Sequence, residues 1–164
     1  MANIRALRGG ADMSQGGQPT TQCEQPLTNS GSSWSQERIQ APSFQVIDPV
    51  GANDLFAAGK AVLVDVRTAE ELKQGFVPGS LHVAWQQGAA MTKNPRFLKE
   101  LSQKVAPDKV VLFICRSGKR SADAALTAAK AGYIHAFNVL EGAEGDIEAG
   151  TSGWRKRGLP WTRG

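Results

Sequence analysis

The stretch of sequence that decides the fold is Val110-Val111-Leu112-Phe113-Ile114, which is followed by Cys115-Arg116-Ser117-Gly118-Lys119-Arg120-Ser121. The first five residues are all apolar and mostly β-branched, which indicates a strand covered on both faces, as in a parallel sheet. The polar residues after it predict a tight loop, and then a helix from Lys119 to Ala131 that ends before Gly132. We therefore expect Cys115 at the carboxyl end of a buried strand, where open parallel sheets bind their ligands.

Strands and helices alternate on both sides of this stretch. Four further strands are predicted, over Ser43–Ile47, Ala61–Val66, Leu81–Ala84 and Ala136–Leu140. Further helices are predicted from Asp48-Pro49 to Ala58, at the capping box Thr68–Glu71, and after Asn94-Pro95. This alternation predicts a three-layer α/β fold, in which a mainly parallel sheet of about five strands is flanked by helices on both faces.

Two of the helices carry a predicted buried face. In the helix after the loop, the small and apolar residues at helical spacing are Ala122, Ala125, Leu126 and Ala129. In the helix after Asn94-Pro95, they are Phe97, Leu98, Leu101 and Val105. We expect both faces to pack against the sheet.

The first 42 residues differ in composition from the rest of the chain. Of the 28 residues from Gly9 to Gln36, 21 are Gly, Ser, Thr, Gln, Asn or Pro, and such a segment buries too little apolar surface to offset the entropy of ordering it. We therefore predict a flexible low-complexity tail over residues 1–42 and one domain over residues 43–164. Cys23 lies in this tail, where we expect a passive exposed thiol, with a resolving thiol for Cys115 as the alternative.

The composition argues against several classes of protein. No apolar stretch approaches the roughly 20 residues that a membrane-spanning helix needs, and the tail has no apolar segment of the kind found in secretory signals. The two cysteines are too few for a disulfide framework. We therefore predict a cytoplasmic protein with reduced thiols that has no membrane partner.

The net charge is +4, and the location of that charge is informative. Residues 1–42 carry as many acidic as basic side chains, so the whole excess lies in residues 43–164. No basic stripe is interleaved with aromatic residues, which argues against nucleic acid as a partner. Three of the cations, Arg116, Lys119 and Arg120, lie in the loop after Cys115 and indicate a small anionic substrate there.

The position of Cys115 favours chemistry at its sulfur. A helix N-terminus presents unpaired backbone N–H groups and roughly half a positive charge, and the three cations of the loop add to it. These charges favour the thiolate over the thiol, and the thiolate is the nucleophile. The alternative, an ordinary buried cysteine at the end of a strand, does not account for the cationic loop.

Five motifs follow one another along the chain. They are Leu63-Val64-Asp65-Val66-Arg67, Gly75-Phe76-Val77-Pro78-Gly79-Ser80-Leu81-His82-Val83, Cys115-Arg116-Ser117-Gly118-Lys119-Arg120-Ser121, Val139-Leu140-Glu141-Gly142 and Gly158-Leu159-Pro160-Trp161. Together they resemble the single-domain rhodaneses, over residues 43–164 and without the tail. Two positions depart from the family pattern, since Phe76 stands where histidine is frequent and Ala143 where a second glycine is frequent.

The resemblance implies a rhodanese-like fold and sulfurtransferase activity. Cys115 would be the nucleophile that takes a sulfur atom from thiosulfate, or a similar small anionic donor, and holds it as a persulfide. It would then pass this sulfur to cyanide or to a thiol, including a protein thiol. Asp65 and Arg67 would support the loop from a neighbouring strand end.

The resemblance also implies a role for each residue of the loop. Its backbone N–H groups would cradle the anionic sulfur, its cations would hold the anionic end of the donor, and its serines would donate hydrogen bonds. Its glycine would let the backbone turn close to the sulfur. The predicted substrate-binding loop consists of Arg116, Ser117, Gly118, Lys119, Arg120 and Ser121.

Two other functions stay open on the same scaffold. A sulfur-carrying or regulatory module would deliver the persulfide to a dedicated protein partner. A phosphatase or arsenate reductase would use the same cysteine, but those relatives have the spacing Cys-x5-Arg, whereas Arg120 here gives Cys-x4-Arg. The shorter loop suits a single sulfur atom better than a tetrahedral oxyanion.

No cofactor and no metal are expected. The chain has two histidines, His82 and His135, and neither has ligand spacing to Cys115. We interpret both as structural or surface residues.

Overall fold

A computed structural model describes residues 42–163 of the chain. Its strands are β1 Gln45–Ile47, β2 Val62–Asp65, β3 Leu81–His82, β4 Gln86–Gln87, β5 Thr92–Lys93, β6 Val110–Ile114 and β7 His135–Val139. Five of them form one sheet in the order β1-β7-β6-β2-β3, and every neighbouring pair in it is parallel. The predicted five-stranded parallel sheet is confirmed, with β6 at its centre.

Helices cover both faces of the sheet. They are α1 Pro49–Ala57, α2 Ala69–Leu72, α3 Phe97–Lys104, α4 Lys119–Lys130 and α5 Gly153–Lys156. Phe97 of α3 and Ala125 of α4 belong to the apolar cluster on one face. Ala52 of α1 and Trp154 of α5 belong to the cluster on the other. The three-layer α/β architecture predicted from the sequence is therefore confirmed.

Strand β6 is buried on both sides, as its uniformly apolar sequence predicts. Val111 and Phe113 lie in the cluster that contains α3 and α4, whereas Leu112 and Ile114 lie in the opposite one. Successive side chains of a strand point to opposite faces, so neither face of β6 tolerates a polar residue. The first polar residues therefore come after Ile114, where β6 ends at the edge of the sheet.

The buried face of α4 is rotated from the predicted one. Its fully covered residues are Ser121, Ala124, Ala125 and Ala128, whereas Ala122, Leu126 and Ala129 are only partly covered. Alanine occurs on several sides of this helix, so apolar spacing alone does not determine which side packs. The position of Ser121, whose hydroxyl faces the preceding loop, shows where the buried side begins.

Two smaller differences concern the region before β6. The antiparallel pair β4–β5 was not predicted, because neither strand has an apolar alternation. Phe97, Leu101 and Val105 are buried as predicted, but Leu98 is 38% exposed. Leu98 follows the buried Phe97 directly, and adjacent positions on a helix do not share a face.

The predicted start of α2 is confirmed in atomic detail. The Thr68 hydroxyl accepts the Glu71 N–H at 3.2 Å, and the Glu71 carboxylate accepts the Thr68 N–H at 3.1 Å. This reciprocal pair satisfies two backbone donors that a helix start otherwise leaves open. It also holds the Glu71 carboxylate near the end of β2.

The predicted tail, residues 1–42, lies outside the described residues except for Pro42, and Cys23 lies outside them too. Across residues 42–163, no helix is both long and apolar enough to cross a membrane.

Candidate active site

Cys115 directly follows β6 at the carboxyl edge of the sheet. The residue is only 1% exposed, and its Sγ accepts the backbone N–H of Gly118 at 3.1 Å. This bond requires the chain to turn back within three residues. Gly118 makes the turn with φ = 99°, in the left-handed region that glycine adopts without strain.

The loop offers further backbone donors beside the sulfur. Among residues 42–163, the N–H groups of Arg116 and Ser117 donate no backbone–backbone hydrogen bond. Gly118 is the N-cap of α4 and has no side chain to cap the first turn. The open N–H groups of that turn and the helix dipole therefore favour negative charge at the mouth of the loop.

A series of hydrogen bonds also links the sulfur to residues of α4 and β7. The Ser121 hydroxyl lies 3.3 Å from Cys115 Sγ and 2.5 Å from Oδ1 of Asn138. The Asn138 amide nitrogen donates to the Gly118 carbonyl at 3.1 Å. Asn138 was not among the residues predicted from the sequence, although a single polar residue within the apolar run Ala136–Leu140 was a usable signal.

The segment after β7 holds the loop from its outer side. The N–H of Ala143 donates to the Cys115 carbonyl at 2.8 Å, and the N–H of Glu144 donates to the Arg116 carbonyl at 2.9 Å. Gly142 lies against the same two residues, so a Cβ atom there would be 2.6 Å from their backbone. The Ala143 side chain is buried, and the turn accommodates alanine at this position.

Asp65 and Arg67 form a buried ion pair beneath the site, with exposures of 1% and 2%. The Arg67 guanidinium binds the Asp65 carboxylate, with a shortest distance of 2.7 Å, and donates to the Gly75 carbonyl at 2.8 Å. It also lies 5.2 Å from the centre of the Trp161 ring. The pair thus joins the end of β2 to the turn after α2 and to the C-terminal segment.

Arg120, one of the residues predicted to bind the donor, forms an ion pair with Glu71. Its guanidinium binds the Glu71 carboxylate through two bonds of 2.8 and 2.9 Å. Partial burial raises the pKa of Glu71, but hydrogen bonds from Arg120 and Thr68 outweigh this effect and hold that pKa at about 2. The bond to Glu71 in turn raises the pKa of Arg120, so the pair stays charged at neutral pH.

This ion pair predicts a pH-dependent stability difference between the wild type and Glu71→Gln. Because the folded pKa of Glu71 is about 2, below its ordinary value of 4.5, the pair stabilises the protein above about pH 4.5 and less as pH falls towards 2. The pair is partly exposed, so we expect the variant to lose about 1 kcal/mol of unfolding free energy at neutral pH. Urea unfolding between pH 7 and pH 2 measures both curves, which should converge in acid.

The matched control is Glu70→Gln. Glu70 is exposed and lies 3.7 Å from the exposed Lys73, so its removal should leave the unfolding free energy unchanged at every pH. A Glu71→Gln deficit that stayed constant down to pH 2 would contradict the ion-pair interpretation.

A cleft of about 730 Å³ opens beside the loop. Its wall includes Arg116, Ser117 and Lys119 of the loop, together with residues from the segments around Glu144 and Arg155. Lys119 is 3.6 Å from the Asp146 carboxylate. Arg116 is exposed and has no carboxylate within salt-bridge distance among residues 42–163, which leaves its charge available to an anion.

No group of three or more metal-ligating side chains occurs within the described part of the chain. The His82 ring lies 2.7 Å from the Arg67 carbonyl through Nε2, and this bond ties β3 to the segment that follows β2.

The fold and the site define a three-layer α/β protein with a buried cysteine inside a backbone loop at the carboxyl edge of its sheet. Residues 48–149 match the Rhodanese-like domain. The chain therefore belongs to the rhodanese-like family, and the resemblance noted in the sequence is confirmed.

Relatives with assigned activities lie in the same family. The chain is 38% identical over 111 residues to thiosulfate sulfurtransferase 16, chloroplastic, of Arabidopsis thaliana, which covers 66% of this chain and 85% of the relative. It is 34% identical over 88 residues to the thiosulfate:glutathione sulfurtransferase of Homo sapiens, which covers 51% of this chain and 76% of the relative.

A solved structure supports the same assignment of the fold. A crystal structure of a protein from M. tuberculosis superposes with a TM-score of 0.66 at 38% identity, over 74% of this chain and 99% of that one. The rhodanese-like fold predicted from the sequence is confirmed.

Proposed function

We propose that the protein is a thiosulfate sulfurtransferase whose nucleophile is Cys115. The observation that carries this proposal is the bond from the Gly118 N–H to Cys115 Sγ at 3.1 Å, inside a loop with further open N–H groups. Such a loop stabilises negative charge on sulfur, as an oxyanion hole does on oxygen. The family and the thiosulfate sulfurtransferases among its relatives support the choice of donor.

The proposed reaction has two displacement steps. In the first, the Cys115 thiolate attacks the outer sulfur of thiosulfate, a sulfur–sulfur bond forms, and sulfite leaves with the electron pair of the broken one. In the second, cyanide or a thiolate attacks the terminal sulfur of the persulfide and releases the Cys115 thiolate. No external oxidant or reductant is needed, and ping-pong kinetics follow from the covalent intermediate.

The side chains around the loop take different roles in this proposal. Arg116 and Lys119 attract the anionic end of the donor, and Ser117 lines its approach. Ser121 is a hydrogen-bond donor to the negatively charged sulfur. Arg120 acts on the sulfur only through its charge, because Glu71 engages its guanidinium.

Asp65 and Arg67 act as structural support in this proposal, since their charges neutralise each other and Arg67 also donates to the Gly75 carbonyl.

The proposed setting is the cytoplasm, where thiols stay reduced. No cofactor takes part in either step.

Removing the loop cations predicts a change in substrate affinity. We expect Arg116→Ala to raise the KM for thiosulfate about fivefold, the effect of roughly 1 kcal/mol of binding energy, with kcat within about twofold of the wild type. Lys119→Ala should have a smaller effect, because Asp146 already lies 3.6 Å from its ammonium group. Steady-state kinetics with varied thiosulfate at saturating cyanide measures both.

The control for these variants is Lys130→Ala, at the exposed far end of α4. It removes one positive charge, as each of the two variants does, from the helix that also carries Lys119, and it should leave KM unchanged. An equal rise in KM for all three variants would mean that net charge, and not the loop, attracts the donor.

A sulfur carrier that serves a protein partner is the second candidate. The cleft of about 730 Å³ is much larger than thiosulfate needs, and Ile147 on its wall is 92% exposed. Both features suit an acceptor larger than cyanide. A phosphatase or arsenate reductase is less favoured, because the guanidinium of Arg120, the arginine nearest to the Cys-x5-Arg position, is already bound by Glu71.

One set of assays on the full chain distinguishes these functions. Thiocyanate formation from thiosulfate and cyanide, together with a protein one sulfur atom heavier after thiosulfate alone, supports the sulfurtransferase. A gain of one sulfur on Cys115 only from a persulfide-bearing protein supports the carrier. Hydrolysis of an aryl phosphate without thiocyanate formation overturns the proposal.

A further inference from the structure

We propose that Asn138 is a positioning residue for Cys115, which acts by holding Gly118 and Ser121 in place around the sulfur. The inference deepens the proposed function, because it concerns the same sulfur and adds a residue from a different strand. Asn138 is 5% exposed and lies on β7, next to β6 in the sheet. It does not bond to Sγ itself, so it acts through its two partners.

The partners determine how the Asn138 amide is oriented. The Gly118 carbonyl can only accept a hydrogen bond, so the amide nitrogen faces it, at 3.1 Å. The amide oxygen then faces Ser121, at 2.5 Å. Since an amide oxygen can only accept, Ser121 must donate its hydroxyl proton to Asn138 in this arrangement.

The Ser121 hydroxyl has a single proton, so its hydrogen bond to Asn138 and its hydrogen bond to Cys115 Sγ depend on each other. While the hydroxyl donates to Asn138, only its oxygen faces Cys115 Sγ, at 3.3 Å, which suits a neutral thiol that donates. A thiolate or persulfide needs a donor instead, and the same proton must then turn from Asn138 to the sulfur. Asn138 therefore competes with the sulfur for the Ser121 proton while it anchors Gly118, the other donor to that sulfur.

Removing Asn138 has two opposing effects on the ionisation of Cys115. Loss of the bond to the Gly118 carbonyl loosens the glycine whose N–H meets Sγ, which disfavours the thiolate. Loss of the acceptor for Ser121 frees the hydroxyl proton to bond to the sulfur, and this bond favours the thiolate. The two effects separate when Ser121 is also replaced.

The test is a double-mutant cycle of Asn138→Leu and Ser121→Ala in the full chain. Leucine has the same branched arrangement of side-chain heavy atoms as asparagine, but it is bulkier and has no polar atom. The readout is the midpoint of the pH dependence of Cys115 alkylation by iodoacetamide, with the alkylated residue identified by mass spectrometry. In the Ser121→Ala background, Asn138→Leu should raise this midpoint by about one pH unit, equal to a tenfold loss of thiolate below it.

In the wild-type background, the same substitution should raise the midpoint by clearly less, because the freed Ser121 proton compensates. Equal shifts in the two backgrounds would overturn the coupling through Ser121, and no shift in the Ser121→Ala background would overturn the anchoring of Gly118. The charged groups near the sulfur are Arg116, Lys119, the Arg120–Glu71 pair and the Asp65–Arg67 pair, and they are unchanged throughout the cycle.

Asn138→Ser replaces Asn138→Leu if the leucine variants do not fold, because a serine side chain cannot reach both partners at once. A merely structural Asn138 would lower the thermal midpoint of unfolding without moving the alkylation midpoint. Alkylation does not depend on sulfur transfer. Failure of the proposed reaction is therefore seen in the thiocyanate assay, and failure of this inference in the cycle alone.

Discussion

Replacing Cys115 by serine is expected to abolish thiocyanate formation, with a loss of more than about a thousandfold in kcat/KM. A serine hydroxyl is a far weaker acid and nucleophile than a cysteine thiol, and an oxygen atom in place of Sγ cannot form a persulfide. The variant should also fail to gain a sulfur atom from thiosulfate. Activity is measured as thiocyanate, and the sulfur as the mass of the intact protein.

The substitution is small enough for the fold to persist. The serine side chain is close in size to that of cysteine, and the carbonyl of residue 115 still accepts the hydrogen bond from the Ala143 N–H. The control is Cys23→Ser, which removes the other cysteine and should leave turnover unchanged. Full activity of Cys115→Ser together with loss of activity in Cys23→Ser would identify Cys23 as the reactive cysteine and reject the mechanism.

The elements around the site were predictable because they rest on local signals. A short, mostly β-branched apolar run such as Val110–Ile114 is typical of a strand buried on two faces, and the Thr68–Glu71 capping box marks the start of a helix by itself. The carboxyl end of a buried parallel strand is a fixed place in the fold. The location of Cys115 followed from these signals and from the motifs that resemble a known family.

The partners of the site residues were harder to predict, because they join distant parts of the chain. Arg120 meets Glu71, which is 49 positions earlier, and Asn138 meets Ser121, which is 17 positions earlier. No periodicity or spacing in the sequence reports such pairs. The sequence shows that Arg120 is close to Cys115 along the chain, but the carboxylate partner of Arg120 depends on how α2 lies against α4.

The depth of the sulfur is another property that only the packing determines. Cys115 is 1% exposed and lies in the apolar cluster that contains residues of α3 and α4, and the turn after β7 binds its carbonyl through the Ala143 N–H. That turn lies more than 20 residues further along the chain, and the sequence indicated it only as a motif with one unusual alanine. Its close contact with the loop makes Gly142 the second position where a small change has a large expected effect.

Gly142→Ala is expected to reduce both stability and activity strongly. Its φ of 63° is in the left-handed region, and a Cβ atom would lie 2.6 Å from the carbonyl group of Arg116 and from the Cys115 carbonyl oxygen. These are backbone atoms and cannot rotate away, so the loop itself has to move. A displacement of about 1 Å at a reacting group costs about a hundredfold in rate, and we expect a loss of that size in kcat.

Gly158→Ala separates this contact from the backbone strain. Gly158 has a similar φ of 75°, but a Cβ atom there would meet nothing within 4 Å. Both variants carry the left-handed strain of about 1 kcal/mol, whereas only Gly142→Ala adds overpacking of about 1–3 kcal/mol. Urea unfolding and thiocyanate kinetics on the two variants should therefore differ in both stability and kcat. If both lost the same stability and kept the same kcat, the turn after β7 would not position the loop that holds Cys115.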